Sequence, residues 1–457
     1  MMFKVPPQIS RQDSRMRISP GLTRPAWLGE STPVVFGDGT DNRPVQVALV
    51  YFNAGGGHRA AATALQAQLS RQCPHWNVSL VDLFRVFDPR QWFKRATGFA
   101  PEAYYNKRLS TGLTLGLAQE LKLLQAMIRM AHGQLVGRLV AHWRETTPTM
   151  VVSMVPNFNR SIADSLKQLG SPAPFVTLMT DMADYPPCFW VEPGYTQHLI
   201  CGTEHAASQA VALGIDPRQV YCTSGMVLSP KFYETPMHDR LVGRQTLGIE
   251  PDDIVGLVMF GGHGSAAMKR IAKALPDRPL ILMCGRNEAL KVALSDLPSR
   301  AMHHVVGFTD DVAQWMRLAD YFIGKPGPGS ISEALHCGLP VIVTRNAWTM
   351  PQERWNTDWI LDKGVGRVLP SMSKIDVAVQ DMLLRFDELR SKVSQQRNQA
   401  LFEVPRILEQ ILGKHPSSLQ SSREVPDEIP IVRDAIPRNL QHKDETSDFS
   451  AQRGLMK

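Results

Sequence analysis

Three glycines followed by a histidine, Gly55 to His58, stand between an apolar run and an alanine-rich helical pattern. Glycine lets another molecule approach the backbone closely, and the first turn of a helix offers unpaired N–H groups. Histidine adds a side chain that gains or loses a proton near neutral pH. The spacing therefore predicts a polar substrate held at Gly55, Gly56 and Gly57, with His58 positioned to take a proton from it. The alternative is a tight turn with an ordinary histidine.

A second glycine-rich turn, Gly261-Gly262-His263-Gly264-Ser265, also follows an apolar run and precedes a helical pattern. This arrangement is typical of a turn that binds phosphate through its backbone N–H groups. It lacks the GKS/T ending of a P-loop, and the first turn lacks the GxGxxG spacing of a dinucleotide site. Two such turns, one in each half of the chain, indicate a cleft that binds a phosphorylated ligand from both sides.

The stretch KPGPGS, Lys325 to Ser330, predicts a stiff turn after a buried strand, with Ser330 as the N-cap of the next helix. Glu333 would then lie in the first helical turn, where a carboxylate suits the vicinal hydroxyls of a ribose. A capping box, in which Glu333 bonds back to the Ser330 N–H, explains the same spacing.

A cluster of amides and a carboxylate follows on the next helical pattern, at Gln352, Glu353 and Asn356. Gln352 and Asn356 share a helical face by their i,i+4 spacing. Amides and carboxylates together match the donors and acceptors of sugar hydroxyls. The alternative is an ordinary solvated helix start.

These residues lie at the ends of strand-like runs that alternate with helix-like ones, which is the pattern of parallel α/β layers. Five strand patterns in each half predict two Rossmann-like domains, at 45–230 and 231–414. A flexible leader (1–44) and a disordered tail (415–457), both polar and without periodicity, are expected to flank them. Because ligands of open α/β sheets bind at the carboxyl ends of the strands, two facing domains imply a cleft between them.

Composition bounds the class of protein. The 457 residues are 43% hydrophobic and 20% charged, as in an ordinary globular chain, and the formal net charge is +7. The six cysteines form no CxxC pair, which argues against zinc and a disulfide scaffold and suits a reducing cytoplasm. No secretory signal or membrane-spanning stretch is evident.

The region 85–145 is predicted to be an insertion in the first domain that contacts a membrane. It carries ten basic and four acidic residues, with aromatic residues such as Trp92 and Phe93 interleaved. Basic and aromatic residues in an amphipathic helix favour an interfacial anchor on anionic lipid. An ordinary helical pair packed on the sheet is the alternative. Nucleic-acid binding is disfavoured, because its stacking aromatics are expected on strands.

Three stretches, AGGGHRAAATAL, GKPGPGSISEALHCGLPVIV and the following Gln-Glu-x-x-Asn, resemble the monogalactosyldiacylglycerol synthases and processive diacylglycerol glucosyltransferases. The similarity to these members of glycosyltransferase family 28 covers about residues 45–412, in matching order. It implies a GT-B fold, with an N-terminal acceptor-binding domain and a C-terminal domain that holds a UDP-sugar. It also implies that the final helical segment, about 395–412, crosses back onto the N-terminal domain.

The resemblance implies an inverting transfer of a hexose with UDP as the leaving group. His58 is the first candidate for the base, and Asp181 is either a reserve base or the carboxylate that orients the imidazole. Gly261 to Ser265 would face the diphosphate, Glu333 would bind the ribose, and Gln352 with Glu353 would bind the hexose. The full donor-binding set is Gly261, Gly262, His263, Gly264, Ser265, Lys325, Gly327, Gly329, Ser330, Glu333, Gln352, Glu353 and Asn356. Gly55, Gly56, Gly57, Trp92 and Phe93 form the acceptor side.

One departure from the family pattern leaves the acceptor open. The lipid galactosyltransferases show His-Pro-x-Trp after the MTD motif, whereas this chain has Pro186 and Phe189 at the His and Trp positions. A lipid such as 1,2-diacylglycerol is the expected acceptor, and a peptidoglycan-type or other acceptor is the alternative. A non-catalytic nucleotide-sugar-binding protein is a third hypothesis. Neither a metal nor a cofactor is expected, and the expected location is cytoplasmic, peripheral to the inner (plasma) membrane.

Overall fold

The computed structural model describes residues 44–53, 56–88, 117–234 and 240–414. The leader apart from Pro44, the tail, most of the insertion before residue 117, and three of the acceptor-side candidates (Gly55, Trp92 and Phe93) lie outside the described residues. Within the described part of the chain, no helix is both long and apolar enough to cross a membrane.

The N-terminal half is a parallel sheet of six strands in the order β2-β1-β3-β4-β5-β6. Its strands are β1 (Val45–Tyr51), β2 (Trp76–Asp82), β3 (Met150–Ser153), β4 (Phe175–Leu178), β5 (His198–Cys201) and β6 (Val220–Cys222). Its helices are α1 (Gly57–Gln72), α2 (Leu83–Phe87), α3 (Leu117–Thr146), α4 (Asn159–Leu169) and α5 (Glu204–Ala212).

The C-terminal half is a second parallel six-stranded sheet, in the order β12-β11-β10-β7-β8-β9. Its strands are β7 (Gly256–Met259), β8 (Leu280–Met283), β9 (His303–Val306), β10 (Tyr321–Gly324), β11 (Val341–Thr344) and β12 (Gly366–Leu369). Its helices are α6 (Arg240–Thr246), α7 (Ala267–Ala274), α8 (Glu288–Ser295), α9 (Val312–Leu318), α10 (Pro328–His336), α11 (Pro351–Lys363), α12 (Ile375–Leu384) and α13 (Phe386–Ser394), and α14 (Ala400–Gly413) ends the described chain.

Apolar strands form these sheets because both faces of each sheet are covered by helices. In β1, Val47 and Leu49 pack on one side with α1 and α14, while Ala48 and Val50 pack on the other side with α3 and α4. Alternate residues of a strand point to opposite faces, so a continuous apolar run fills both cores. The two Rossmann-like sheets confirm the predicted α/β fold class.

Two strands, β6 and β12, are not among the ten that the sequence patterns predict. They are three and four residues long and lie at the edges of their sheets. Edge strands are paired on one side only, so they need fewer apolar residues and give a weaker pattern. Of the remaining ten strands, nine fall within the predicted runs, and β2 begins one residue before its run, at Trp76.

Helix α14 belongs by packing to the N-terminal half. Val404, Ile407, Leu408 and Ile411 are buried in the same core cluster as the first strand. Asn398 sits at the crossing and donates to the Met226 carbonyl at 2.9 Å. The segment 400–413, assigned above to the C-terminal domain range, therefore returns to the first sheet and closes the two halves into one compact unit.

Candidate active site

A cleft of about 1500 Å³ lies between the two halves and is lined by both glycine-rich turns. The N-terminal wall includes Gly56, Gly57 and Thr180, and the C-terminal wall includes the turns after β7 and β10. Its basic side chains outnumber its acidic ones: Arg59, Lys231, Arg270, Arg286 and Lys325 against Asp310, Glu333 and Glu353. A cleft with this charge balance attracts an anionic ligand.

The C-terminal glycine turn keeps its shape by close packing. Gly264 has φ +60°, and a Cβ there would lie 2.6 Å from Leu290 Cδ2 and 3.1 Å from the Cys284 carbonyl oxygen. A Cβ on Gly262 would meet no described atom within 4 Å. The turn is thus anchored at Gly264 and open at Gly262, as a turn that admits a ligand to its backbone should be. His263 is exposed beside it, and Ser265 accepts from the Ala267 N–H at 3.2 Å.

The KPGPGS turn departs from the prediction at its cap. Helix α10 begins at Pro328, with Gly327 as the N-cap, so Ser330 is a residue of the first helical turn and not the cap. Proline has the φ that the first helical position needs, which moves the start of the helix forward from Ser330. Glu333 consequently lies in the second turn and cannot form the capping box.

Glu333 instead lines the cleft. Desolvation raises its pKa to about 7, so the carboxylate is held in a site that favours its neutral form until a ligand supplies hydrogen-bond donors. Gly329 and Ser330 lie on the same wall. The position of the Glu333 carboxylate in the cleft agrees with a role in accepting hydrogen bonds from hydroxyl groups.

Lys325 and Glu353 form an ion pair within the cleft. Lys325 Nζ lies 2.8 Å from Glu353 Oε1, and Glu353 is almost fully buried while Lys325 is partly exposed. An ion pair with one buried partner holds its geometry because breaking it leaves a buried charge unpaired. The pair fixes a carboxylate and an ammonium beside Gly327.

Gln352 and Asn356 differ from Glu353 in their surroundings. Asn356 is fully buried and donates from Nδ2 to the Pro326 carbonyl at 2.8 Å, so it supports the KPGPGS turn from below. Gln352 is half-buried with its amide at the Met350 sulfur, and neither residue belongs to the described lining of the cleft. The i,i+4 spacing is present, but the Asn356 side chain contacts the KPGPGS turn. The structure therefore does not favour a direct contact between Asn356 and the sugar donor.

His58 is held on the N-terminal side by three contacts. Its Nδ1 lies 2.8 Å from Thr180 Oγ1, its ring hydrogen-bonds the Met154 carbonyl, and its centroid is 5.9 Å from the Trp190 ring. Burial lowers the pKa of the imidazole to about 4. The ring is therefore neutral near pH 7 and available to accept a proton.

Asp181 lies next to Thr180 but has a different partner. Its Oδ2 accepts a hydrogen bond from Trp190 Nε1 at 2.9 Å, and desolvation raises its pKa to about 7. The hydrogen bond of His58 goes to Thr180, so the hypothesis that Asp181 orients the imidazole directly is not supported by this geometry. Trp190 lies between the two residues, because it donates to Asp181 and neighbours the His58 ring.

Asp181 also lies close enough to the C-terminal half to interact with its charges. The nearby Glu353 carboxylate raises the Asp181 pKa, and the Lys325 ammonium lowers it, both less than burial does. The candidate base region and the ion pair of the donor wall thus meet across the cleft.

Several residues at this site carry no signal that the sequence analysis used. Thr180 lies on the cleft wall, and the Arg286 guanidinium lies 3.7 Å from the centroid of the Phe308 ring, with both residues on the C-terminal wall. Thr180 follows β4 and Phe308 follows β9, so both occupy carboxyl ends of strands. That position was the available signal.

A scan against protein families matches residues 257–411 to the glycosyltransferase family 28 C-terminal domain. The chain is 28% identical over 351 residues to probable monogalactosyldiacylglycerol synthase 2, chloroplastic, of Oryza sativa subsp. japonica, covering 70% of each chain. It is 26% identical over 363 residues to monogalactosyldiacylglycerol synthase 1, chloroplastic, of Arabidopsis thaliana, covering 74% of this chain and 65% of the relative.

The fold is similar to that of the glycosyltransferase SnogD from Streptomyces nogalater. The TM-score is 0.52 at 16% sequence identity, and the match covers 81% of this chain and 100% of that one. The resemblance inferred from the glycine-rich motifs is thereby confirmed. The chain is a glycosyltransferase of the GT-B fold that carries a family 28 C-terminal domain and is related to the monogalactosyldiacylglycerol synthases.

Proposed function

We propose that this glycosyltransferase moves a hexose from UDP-galactose or UDP-glucose to a lipid hydroxyl, such as that of 1,2-diacylglycerol, with inversion. The observation that carries the proposal is the division of one cleft between two walls. Thr180, which contacts the neutral His58 ring, lies on the N-terminal wall, and a phosphate-type turn with the Glu333 carboxylate lies on the C-terminal wall. The relatives named above, which are galactolipid synthases by name, support the same reaction class.

The donor fits the C-terminal wall by its chemistry. A diphosphate would accept hydrogen bonds from the backbone N–H groups of the turn Gly261 to Ser265, and the excess of basic side chains adds favourable charge. The planar Arg286–Phe308 pair offers a surface on which a uracil ring can stack. Glu333 would accept hydrogen bonds from the ribose hydroxyls. Glu353 would accept them from the hexose hydroxyls, and Lys325 would donate to those hydroxyls.

This donor site supplies its charge stabilisation from protein groups, so we propose a reaction without a metal or cofactor. Among the described residues, no three His, Cys, Asp or Glu side chains come together as a candidate metal site. When the sugar–phosphate bond breaks, negative charge develops on the departing UDP. Fixed N–H dipoles aimed at that charge stabilise it without reorganising.

A membrane surface is proposed as the source of the acceptor, on the basis of α3. Its first half exposes Leu123, Met127 and Met130, whose exposed fractions are 61%, 46% and 79%. Lys122 and Arg129 are exposed among them. Apolar side chains with basic neighbours are typical of a helix that lies in the interface of an anionic membrane. The enzyme would then be peripheral, on the cytoplasmic side of the membrane.

A second acceptor class is kept because of the loop that follows β4. Pro186 and Phe189 replace the family's His and Trp, and the neighbouring Trp190 is fully buried against Asp181. This indole therefore does not present a surface to an acceptor. A peptidoglycan-type or soluble hydroxyl acceptor is the alternative that this loop favours.

The test is release of UDP from UDP-galactose and UDP-glucose, with and without diacylglycerol in anionic vesicles. The account predicts lipid-dependent release from one donor, lost in His58→Ala and retained in His75→Ala, an exposed histidine outside the cleft. Chelator should leave the rate unchanged. Tight UDP binding without lipid-dependent release, or release with a soluble acceptor only, would replace the lipid acceptor by the alternative.

A further inference from the structure

The hydroxyl group of Thr180, a residue of the cleft wall, contacts the His58 ring. Thr180 lines the cleft, as do Gly57 and Arg59 on either side of His58, whereas the His58 ring is not part of the described lining. The ring neighbours the fully buried Trp190, with the two ring centroids 5.9 Å apart. Thr180 Oγ1 is 2.8 Å from His58 Nδ1. Thr180 is therefore a cleft residue whose hydroxyl is already in contact with the ring.

The hydrogen bonds fix the direction in which a proton can travel. The Met154 carbonyl can only accept, so the ring uses its N–H there. A neutral imidazole has one N–H donor and one acceptor nitrogen, so with the N–H directed to Met154 we assign the acceptor role to Nδ1, which lies 2.8 Å from Thr180 Oγ1. The Thr180 hydroxyl then donates to Nδ1 and keeps its lone pairs for a donor on the cleft side.

We propose that Thr180 relays the acceptor's proton to His58, an inference that rests on the transfer reaction proposed above. The acceptor oxygen forms its bond to the anomeric carbon while the carbon–oxygen bond to UDP breaks, and UDP leaves with the electron pair. The acceptor proton passes to Thr180 Oγ1 as the proton of Thr180 passes to His58 Nδ1. Thr180 ends as a neutral hydroxyl, and His58 ends as an imidazolium.

Asp181, the neighbouring carboxylate, does not replace Thr180 in this path. Its Oδ2 is engaged by Trp190 Nε1 at 2.9 Å, and the residue is buried. By fixing Trp190 against the His58 ring, Asp181 serves as a positioning residue. Among the described residues, Thr180 both lines the cleft and hydrogen-bonds the His58 ring.

The experiment compares three threonine variants in the UDP-release assay, run with the full chain. Thr180→Val removes the hydroxyl at nearly constant shape, Thr180→Ser retains it, and Thr177→Val makes the same change three residues earlier, within β4. Thr177 is buried, and its weak contact with Gln197 at 3.4 Å has no link to His58. Rates are measured in mixtures of H₂O and D₂O, so that the number of protons moving in the slow step is counted.

Thr180→Val is expected to lower kcat by about 100-fold with little change in the KM for donor, since proton transfer contributes about 10² to 10⁴ in rate. Thr180→Ser should stay within about threefold of the wild type, and Thr177→Val should match it. The wild type should show a curved dependence of rate on deuterium fraction, from two protons in flight. Equal kcat for Thr180→Val and the wild type, with His58→Ala inactive, would overturn the relay alone. No transfer by the wild type with any acceptor would instead overturn the proposed function.

Discussion

The turn between β1 and α1 and the turn between β7 and α7 both line the cleft, yet a methyl group added to each would meet different surroundings. A Cβ on Gly57 would have no described atom within 4 Å, whereas one on Gly264 would collide with Leu290 and the Cys284 carbonyl. Gly264 also requires the left-handed conformation, at φ +60°, and Gly57 is an ordinary first residue of α1. One glycine preserves empty space and the other preserves a packed shape.

This difference separates two causes of the same sequence motif. The open space at Gly57 belongs to the cleft, so we expect the absence of a side chain there to leave room for a ligand. The glycine at 264 is explained by the fold itself, and the open Gly262 beside it carries the ligand argument on that wall. A glycine-rich turn is therefore evidence for a binding site only at the positions that packing leaves unexplained.

The largest expected effect separates the chemical roles of the two walls. His58→Ala should lower kcat by about 10³ with UDP affinity unchanged, because it removes the group that accepts the proton. Steady-state kinetics of UDP release, with circular dichroism to verify folding, would measure it. A rise in KM for the donor with unchanged kcat would place His58 in donor binding instead.

The two glycines themselves give the next largest effect. Gly264→Ala should destabilise the fold by about 2 to 4 kcal/mol, from the left-handed φ and the contacts with Leu290. Gly57→Ala should leave the free energy of unfolding within about 1 kcal/mol, since alanine is favoured in a helix, but should reduce turnover. Denaturant unfolding and the release assay together measure both. Full activity in Gly57→Ala would mean that the space at Gly57 holds no substrate.

The buried acid Asp181 makes stability depend on pH. Its pKa is raised from 3.8 to about 7, so the folded chain binds more protons than the unfolded chain between these values and loses stability as pH rises through them. Asp181→Asn removes this loss. Relative to the wild type, the free energy of unfolding of the variant should rise by about 2 kcal/mol from pH 5 to pH 8. Unfolding in urea at both pH values tests it, with the exposed Asp252→Asn as a control that should gain nothing.

The smallest expected effect concerns the proposed membrane contact of α3 in the N-terminal half. Changing both Leu123 and Met127 to glutamine should weaken binding to anionic vesicles by about 30-fold, because each removed apolar side chain contributes on the order of 1 kcal/mol at an interface. Activity towards a soluble short-chain acceptor should not change. Vesicle co-sedimentation measures the first and UDP release the second; undiminished sedimentation would remove α3 from the proposed membrane contact.

The sequence predicted the sheets well because their strands are continuous apolar runs that form both cores, as in β1 and β10. It predicted less where several physical reasons compete for one residue. Proline at position 328 starts α10 before Ser330 can cap it, and Asn356 has the right chemistry for a sugar but is buried under the KPGPGS turn. Both outcomes depend on backbone geometry that residue spacing does not specify.

The candidate base was found from its motif, but its connection to the cleft was not. Thr180 and His58 are 122 residues apart and meet because β4 and β1 end at the same edge of one sheet. The rule that parallel strands end together predicts their neighbourhood. Which side chain faces the cleft and which faces the core depends on packing against Trp190 and Met154, which no local pattern encodes.

The central claim is that donor binding and proton acceptance are divided between the two walls of one cleft. Isothermal titration of UDP into the wild type, His58→Ala and Glu333→Ala tests it most directly. We expect His58→Ala to bind UDP with wild-type affinity. Glu333→Ala should lose about 10-fold to 100-fold in UDP affinity, because it lacks the carboxylate that would accept hydrogen bonds from the ribose. Equal weakening of UDP binding by both substitutions, or by His58→Ala alone, would contradict the division.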